Sequence, residues 1–258
     1  MEKNVLSESY RLFKEDIRND SSHMKKSKFL LIAFLIHIAS CTTEKISEKQ
    51  ATKAEAVWNF DKFEDWSHNN VSDDPGLVVI ENGMLRISTE ANTQQRKKAY
   101  SDAVDFKSGI YQWRVYVSDI GIGEKCSIGA FICKDDYHEL DFEITAGKVS
   151  AREYYGAQDD EMLVYMTSQD NPWFQEVSKI KKNKWYLFEI DLSLIDDKYH
   201  VKWSIDNKVL AEVGLSYGEE ETFRIYCSLE NLNPFGDFLP LKKNYTLFDY
   251  VKYITFAE

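Results

Sequence analysis

The stretch that decides the fold of this chain reads Glu139-Leu140-Asp141-Phe142-Glu143-Ile144. Acidic and apolar residues alternate in it without a break, which is typical of a β-strand with one buried face and one open face. The apolar side chains are predicted to enter a core, and the acids are predicted to stand in a row on the opposite face. Like charges at two-residue spacing repel one another, and an ordinary solvated strand has no reason to collect them. This strand is therefore the first candidate for a functional site.

The chain on both sides of this strand has the same β character. Predicted strands cover residues 76–80, 84–88, 109–117, 127–133, 139–144, 149–155, 162–167, 185–192, 199–205, 209–213, 223–229 and 248–256. Asn82-Gly83 between two of these runs is a strong hairpin signal. Convincing amphipathic helices are missing, and no Pro/Gly-rich break divides the region. Many short strands at about 10-residue spacing predict one all-β domain, a β-sandwich or jelly roll.

Composition limits the classes of partner. The chain has 258 residues, 43% of them hydrophobic and 14% aromatic, with a formal net charge of −11. The apolar fraction is enough for a core. An acidic balance argues against nucleic acid, which requires a basic patch, and against electrostatic docking on anionic lipid. Neutral sugars remain open as ligands, because pyranose rings stack on aromatic faces, although strand packing also explains an aromatic surplus.

The N-terminal region has the pattern of an export signal. A positive stretch at residues 24–28 precedes an apolar run at 29–38, which ends in Ile38-Ala39-Ser40-Cys41. This order predicts a secretory signal over residues 24–40. Small residues directly before a Cys resemble the bacterial lipobox, which implies cleavage before Cys41 and lipidation of its thiol. A plain signal peptide or a short anchor helix is the alternative, since spanning a bilayer takes about 20 residues.

The regions around this signal complete the predicted organisation. Residues 1–23 are polar and precede a better start at Met24, so we interpret them as an over-called N-terminal extension. Residues 41–56 are rich in Lys, Glu, Ser and Thr and are predicted to form a flexible tether. The folded domain is then expected at 57–258. We expect a monomer that the lipid holds at the bacterial cell envelope, on the outer membrane, at its periplasmic or cell-surface side.

The remaining cysteines do not predict a disulfide framework. Cys126, Cys133 and Cys227 are an odd number. Along one strand, Cys126 and Cys133 would lie about 23 Å apart at Cα, too far to bond to each other. We expect small buried hydrophobic side chains. Their spacing fits no zinc site, and the histidines are scattered.

Five segments of the chain, taken in order, match the motifs of one known family. They are residues 107–115, 129–131, 139–143, 201–209 and 249–253. The third has the form Glu, aliphatic, Asp, apolar, Glu, without the extra residue that some branches insert. On these segments the chain resembles glycoside hydrolase family 16, with its lichenase-like and laminarinase-like members. The resemblance implies the concanavalin A-like lectin/glucanase jelly roll and endo-acting cleavage of a β-linked polysaccharide such as a β-glucan.

Strand geometry leaves the stereochemistry of such a cleavage open. Residues i and i+4 of a strand are about 13 Å apart at Cα, and carboxyls that lean together approach to roughly 5–7 Å. A retaining mechanism requires about 5–5.5 Å between the carboxyls, and an inverting one about 6.5–9.5 Å. The family resemblance implies retention by double displacement.

The same resemblance implies a role for each acid. Glu139 would be the nucleophile, Glu143 the general acid and then the base, and Asp141 would couple to both. Carboxyls that lie close together disfavour one another's ionisation, so the pKa of at least one of the three should be raised, as a general acid that must stay protonated near neutral pH requires. The protons would belong to the coupled set and not to single residues. This chemistry needs no metal or organic cofactor. A structural calcium ion, known on the outer face in some relatives, leaves no readable signature in the sequence.

Five further residues are candidate sugar contacts. Glu153 and Tyr155 share parity on the predicted strand after the motif, where lichenase-like members place polar and Tyr side chains. The family usually carries a Trp just ahead of the motif, and Tyr137 is the candidate to substitute for it. Arg114 is predicted either to line the cleft or to form an ion pair. Trp173 is predicted to lie on a loop, where it would stack on a sugar or cover the core edge.

Three functions are compatible with these features. The intact row of acids favours an endo-acting hydrolase, because a pure binder has no need of it. The missing Trp ahead of the motif favours the alternative, a non-catalytic glycan-binding surface lipoprotein on the same fold. A structural or adhesive envelope protein is the third hypothesis.

Overall fold

The computed structural model of the chain describes residues 52–69 and 77–256. In chain order its strands are β1 Thr52–Trp58, β2 Trp66–His68, β3 Val78–Glu81, β4 Met84–Thr89, β5 Arg96–Ser101, β6 Gly109–Val117, β7 Ser127–Asp135, β8 His138–Thr145, β9 Glu161–Ser168, β10 Phe174–Lys181, β11 Lys184–Ile195, β12 Lys198–Ile205, β13 Lys208–Gly214, β14 Arg224–Glu230 and β15 Asn244–Phe256. One α-helix, α1, spans Val149–Tyr155, and a short 3₁₀ helix spans Asn233–Phe235.

The strands form two antiparallel sheets. Sheet 1 has the order β13-β12-β11-β6-β15-β4-β3, with β1 also paired to β15, and sheet 2 has the order β10-β9-β8-β7-β14-β5-β2. The predicted all-β sandwich is therefore confirmed. The predicted hairpin is confirmed as well, because β3 pairs with β4 across Asn82 and Gly83, whose φ angles of 52° and 71° are those of a two-residue hairpin turn.

The core lies between the inner faces of the two sheets. The apolar residues of the opening stretch, Leu140, Phe142 and Ile144, are all fully buried. The Phe142 ring of sheet 2 meets the Phe188 ring of sheet 1 edge-on at 5.1 Å. The Trp113 indole on β6 donates across the core to the Tyr226 carbonyl at 3.1 Å. Each such fully buried large side chain contributes about 1.5–3 kcal/mol.

The predicted strand at 149–155 is wrong, because this segment forms α1. Gly147 turns the chain after β8 at a φ of 81°, and Gly156 ends the helix in the left-handed conformation at a φ of 61°. Arg152 is buried and donates to the carbonyls of Ala146 and Glu161 at 2.7 and 2.9 Å. The Val and Tyr residues of the segment favour strands, but the two glycines and these tertiary hydrogen bonds outweigh that preference.

Four strand assignments also differ from the sequence prediction, and one of them is the short β2, which was not predicted. β1 begins at Thr52, inside the segment predicted to be a tether, and pairs with β15. β5 and β10 were not predicted, because their sequences are rich in charged residues and lack a regular apolar alternation. β5 is nevertheless held in sheet 2 by its pairing with β14.

A second, smaller apolar cluster lies outside the main core. It consists of Leu163, Tyr165, Leu232 and Phe235, with Tyr155 of α1 packed against it. Leu163 and Tyr165 point to the outer face of sheet 2, because they are the Cα partners of Thr145 and Glu143 on β8. We call this group the end cluster. It covers the outer face of sheet 2 at the Thr145 end of β8.

Several predictions concern residues that the structure does not describe. The extension at 1–23, the signal at 24–40 and the lipidation site Cys41 lie outside the described residues. Within 52–69 and 77–256, no helix has the length and apolar character needed to cross a membrane. Cys126 and Cys227 are buried, as predicted, whereas Cys133 is half-buried, and all three are free.

Candidate active site

The outer face of sheet 2 carries the predicted row of acids. Glu139, Asp141 and Glu143 alternate along β8 with the buried apolar residues. Their Cα partners on β7 are Cys133, Phe131 and Gly129, in that order. We call the part of the sheet around these three acids the acidic face. The alternation in the sequence therefore predicted the placement of each acid.

Asp141 lies at the centre of the acidic face and is almost fully buried. Its Oδ2 accepts a hydrogen bond from the Gln169 side chain at 2.9 Å, and its Oδ1 is buried without a hydrogen-bond partner among the described residues. Burial raises the pKa of Asp141 well above its ordinary value, and the charge of Glu139 adds to the rise. Asp141 therefore resists ionisation while Glu139 is charged.

Glu143 lies at the end of the row that is next to the end cluster. Its carboxylate accepts a hydrogen bond from the hydroxyl of Ser127 on β7. Burial raises the pKa of Glu143 well above its ordinary value, and the charges of Asp141 and Glu230 act in the same direction. A carboxyl in this state keeps its proton at pH values where an ordinary Glu has lost it.

Glu139 lies at the other end of the row, beside the β7–β8 turn. Burial raises its pKa as well, but the charge of Lys98 and a hydrogen bond from the Cys133 thiol oppose the rise. The pKa of Glu139 is raised, whereas those of Asp141 and Glu143 are raised well above the ordinary value. The three carboxyls interact and titrate as one set. The environment thus disfavours the charged form less at Glu139 than at Glu143.

A cluster of charges that sequence reasoning missed lies on the same face. Glu230 on β14 is 2% exposed and forms ion pairs with Arg96 and Lys98 of β5. The Lys98 Nζ lies 3.1 Å from Glu230 Oε1. Burial alone would raise the pKa of Glu230, but the two cations hold it below its ordinary value. Glu230 is therefore a charged partner of the cations and not another proton donor.

An aromatic stack lies on the same face of sheet 2. The rings of Phe131 and Tyr226 are parallel within 1° and lie 4.7 Å apart. Gly129 makes the arrangement possible, because a Cβ at this position would lie 2.4 Å from Ser228 Oγ and 3.2 Å from the Phe131 ring. The stack lies directly beside Asp141, the Cα partner of Phe131. The Phe131 ring is 3% exposed, so the stack is a packed support beside Asp141 and not an open surface.

Two of the predicted sugar contacts take different positions. Arg114 does not line the acidic face, because β6 belongs to sheet 1 and the residue points away from the core, with its guanidinium 5.9 Å from the Trp185 ring. The parity argument for Glu153 and Tyr155 is wrong, because both residues lie on α1 and Glu153 is exposed. Tyr155 still approaches the acidic face, since its ring meets the Tyr165 ring edge-on at 6.5 Å.

Tyr137 and Trp173 lie near the acids on two loops. Tyr137 is 58% exposed in the turn between β7 and β8, two residues ahead of Glu139. Trp173 is 51% exposed and directly precedes β10, in the same loop as the Gln169 that bonds Asp141. Both side chains are accessible to a ligand on this face. Their role in sugar binding stays a prediction.

No family model and no curated protein sequence matches the chain. Its fold, in contrast, is similar to solved structures. A Bacillus licheniformis beta-glucanase is 13% identical, with a TM-score of 0.57 and coverage of 80% of this chain and all of the glucanase. The Crh5 transglycosylase is 14% identical, with a TM-score of 0.58 and coverage of 80% and 86%. A glycoside hydrolase family 16 endo-glucanase from Bacteroides ovatus is 12% identical, with a TM-score of 0.53 and coverage of 77% and 99%.

At these identities the similarity establishes the fold, which is the jelly-roll sandwich of glycoside hydrolase family 16 structures. The predicted concanavalin A-like architecture is therefore confirmed. Function has to be argued from the residues of the acidic face, since one fold supports many activities.

Proposed function

We propose that this protein is an endo-acting glycoside hydrolase that cleaves a β-linked polysaccharide, such as a β-glucan, by a retaining double displacement. One observation carries the proposal: three carboxyls stand in a row on one outer strand face, and burial and neighbouring charges raise the pKa of Glu143 further than that of Glu139. Glycosidic cleavage needs this pair of a carboxylate and a carboxylic acid on either side of the scissile bond.

In the first step Glu139 attacks the anomeric carbon and the glycosidic bond breaks. The leaving oxygen takes the proton of Glu143, so that a covalent glycosyl-enzyme and a free sugar hydroxyl result. In the second step Glu143 removes a proton from water, and the water oxygen displaces Glu139 from the anomeric carbon. The raised pKa of Glu143 supports its role as the acid, and the smaller rise at Glu139 supports its role as the nucleophile.

Asp141 is proposed to keep these two roles separate. It lies between them on β8, and its own ionisation is suppressed by burial and by the charge of Glu139. A protonated Asp141 can donate to the carboxylate of Glu139 in the resting enzyme. When Glu139 becomes esterified, Asp141 is free to ionise, and its charge raises the pKa of Glu143, which makes the Glu143 carboxylate a stronger base toward water in the second step.

The proposed ligand is a polysaccharide or oligosaccharide that lies across the acidic face. Structures of similar fold from Bacteroides ovatus are described as complexes with oligosaccharides. Tyr137 and Trp173 are proposed to stack on sugars at the open end, and Tyr155 to border the closed end. No cofactor takes part in the proposed steps. We also propose that a lipid on Cys41 holds the enzyme at the cell envelope, where polysaccharides reach it.

A non-catalytic glycan-binding protein is the second candidate. The exposed rings of Tyr137 and Trp173 on the loops beside the acids favour it, because an aromatic surface binds pyranose rings without any chemistry. In that case the acids would serve only as hydrogen-bond acceptors for sugar hydroxyls.

Reducing-sugar release from a panel of β-glucans and galactans separates the two candidates. The full chain, Glu139→Gln and the control Glu189→Gln, which changes a carboxylate on sheet 1, are assayed side by side. We expect release by the full chain and by the control, and none by Glu139→Gln, with polymer binding retained in all three. Binding without release in every variant would establish the glycan-binding protein instead.

A further inference from the structure

We propose that Gln169 is a positioning residue that holds the Asp141 carboxyl through its Oδ2 atom and thereby makes Oδ1 the oxygen that carries the proton of Asp141. This inference rests on the proposed function, in which Asp141 keeps the roles of Glu139 and Glu143 separate. Gln169 lies on a different segment from the acids and does not belong to their motif.

Gln169 is tied to β8 by its backbone and by its side chain. It directly follows β9, and its backbone N–H donates to the Glu139 carbonyl at 3.1 Å, which continues the pairing of β8 with β9 by one residue. Its side-chain Nε2 donates to Asp141 Oδ2 at 2.9 Å. The loop then turns on a bond of its own, from the Asn171 N–H to Asp170 Oδ1 at 2.7 Å. The amide that contacts Asp141 is therefore held by the edge of the sheet and not by the loop alone.

The Asp141 carboxyl lies where a negative charge is costly. The residue is 1% exposed, and Glu139 and Glu143 lie two residues away on either side, on the same face of β8. A carboxylate that has no solvent and lies between two further carboxyls is less stable than the carboxylic acid. Burial accordingly raises the pKa of Asp141 well above its ordinary value, and the charge of Glu139 adds to the rise.

The residues opposite Asp141 on the neighbouring strands do not offset this cost with a positive charge. The Cα partners of Asp141 are Phe131 on β7 and Thr167 on β9, and both are uncharged. The Lys98 ammonium lies over the Phe131 ring, 5.3 Å from its centre, and is paired with Glu230. The hydrogen bonds that Asp141 accepts therefore come from uncharged donors.

The two oxygens of the Asp141 carboxyl are not equivalent. Oδ2 accepts the hydrogen bond from Gln169, whereas Oδ1 is buried and has no hydrogen-bond partner among the described residues. In a carboxylic acid the carbonyl oxygen is the better acceptor, and the other oxygen carries the proton. An amide donor at Oδ2 thus makes Oδ2 the carbonyl oxygen and places the proton on Oδ1. A proton on Oδ1 is free for the donation to Glu139 that the proposed function uses.

A ¹³C NMR titration of the aspartate side-chain carboxyls tests the contact without any substrate. The full chain is compared with Gln169→Met, which keeps the length of the side chain and removes the donor, and Asp141→Asn assigns the signal. Gln175→Met is the control, because Gln175 lies in the same row of sheet 2 and its amide donates to Thr167 Oγ1 at 3.5 Å instead of to Asp141.

In Gln169→Met we expect the Asp141 midpoint to rise by about one pH unit, because the carboxylate loses a hydrogen bond that stabilises it. In Gln175→Met the midpoint should stay near that of the full chain. An unchanged Asp141 midpoint in folded Gln169→Met overturns the inference. If Gln169→Met does not fold, Gln169→Ala takes its place with the same expectation.

Infrared difference spectra then locate the proton. Below the midpoint of Asp141, the carbonyl band of its acid form is identified by its loss in Asp141→Asn. A proton on Oδ1 leaves Oδ2 as the carbonyl that accepts the amide, so the band should move to higher wavenumber in Gln169→Met, where this hydrogen bond is missing. A proton on Oδ2 would leave Oδ1 as a carbonyl without a donor in both proteins. A band that does not move would therefore overturn the assignment of the proton.

Steady-state rates link Gln169 to the reaction. Gln169→Met should lower kcat by about tenfold and leave KM within about twofold, because Gln169 positions an acid and is not proposed to touch the sugar. Trp173→Ala, in the same loop, should show the opposite pattern. A shifted carbonyl band in a protein that hydrolyses no polymer would overturn the proposed function but not the position of the proton. Hydrolysis with an unchanged kcat in Gln169→Met would overturn the role of Gln169 alone.

Discussion

Two strands of this protein have nearly the same sequence pattern and opposite surroundings. β8 alternates acid and apolar residues over Glu139–Ile144, and β11 does so over Glu189-Ile190-Asp191-Leu192. On both strands the apolar residues are buried and the acids point outward. β8 belongs to sheet 2 and β11 to sheet 1, so the two sets of acids face away from each other on opposite sides of the sandwich.

The difference lies in the cross-strand partners. On β11, Glu189 accepts a hydrogen bond from Gln112 at 2.6 Å, and Asp191 is the Cα partner of Lys202, whose charge opposes the rise that burial causes in its pKa. On β8, the partners of the acids on β7 are Cys133, Phe131 and Gly129, none of which is a cation. On β11 each acid has a polar or cationic cross-strand partner. The acids of β8 have no such partner on β7 and raise one another's pKa values, as the acids of proton-transfer sites do.

The largest expected difference between the strands is in catalysis. Glu139→Gln and Glu143→Gln should each reduce kcat by about 10³-fold or more, because one removes the nucleophile and the other the proton donor. Glu189→Gln on β11 should leave kcat within about twofold, since it lies on the far side of the sandwich. Steady-state rates on the best polymer of the panel give the comparison, and an equal loss in all three variants would refute it.

The next difference is in the pH profile. Because Glu143 must be protonated to act as the acid, activity should fall as the pH rises through its raised pKa, and this limb should vanish or shift in Glu143→Gln. Glu189→Gln should keep both limbs. The profile of kcat/KM between pH 4 and about 10 is the measurement. An alkaline limb that Glu143→Gln leaves unchanged would remove Glu143 from the role of acid.

In Glu143→Gln the stability of the fold should rise while activity falls. A carboxyl with a raised pKa in the folded state holds a proton that the unfolded chain has released, so stability falls as the pH rises from the unfolded to the folded pKa. Glu143→Gln removes this penalty and keeps an acceptor for Ser127. Its free energy of unfolding at pH 7 should rise by on the order of 1 kcal/mol. Glu189→Gln should change the free energy of unfolding little. If urea titrations give Glu143→Gln a lower free energy of unfolding than the unchanged chain, that result would contradict the effect of burial on the pKa of Glu143.

The smallest expected effect concerns the loops beside the acids. Trp173→Ala should raise KM by about fivefold with little change in kcat, because a lost stacking contact is worth about 1 kcal/mol. The matched control is Trp185→Ala on sheet 1, whose ring contacts Arg114. Equal KM values for the two variants would exclude Trp173 from the sugar site.

The contrast between β8 and β11 also explains which parts of the site could be predicted from the sequence. The alternation in β8 is a local pattern, so the row of acids on the face opposite the core was correctly predicted, whereas the burial of Asp141 was not. The partners of that row come from β5, β7 and β14, far away in the chain, and no local pattern reports them. Arg96-Lys97-Lys98 resembles a solvated charged run, yet β14 holds it as a strand and pairs Lys98 with the buried Glu230.

The missed helix has a related cause. Val149–Tyr155 carries strand-forming residues, and its conformation is decided by Gly147, Gly156 and the carbonyls that receive Arg152. The predicted sugar contacts at Glu153 and Tyr155 assumed the two-residue period of a strand, whereas the segment has the period of a helix. Arg114 was misplaced for a different reason, since a strand pattern shows which residues share a face but not which sheet the strand joins.

Double displacement requires that Glu139 attacks the sugar while Glu143 supplies the proton. The most direct test is ¹H NMR of the anomeric proton of the first product, recorded during cleavage of the best polymer by the full chain. Double displacement predicts that the β-anomer appears first and only later equilibrates with the α-anomer. Initial formation of the α-anomer would contradict the role of Glu139 as nucleophile.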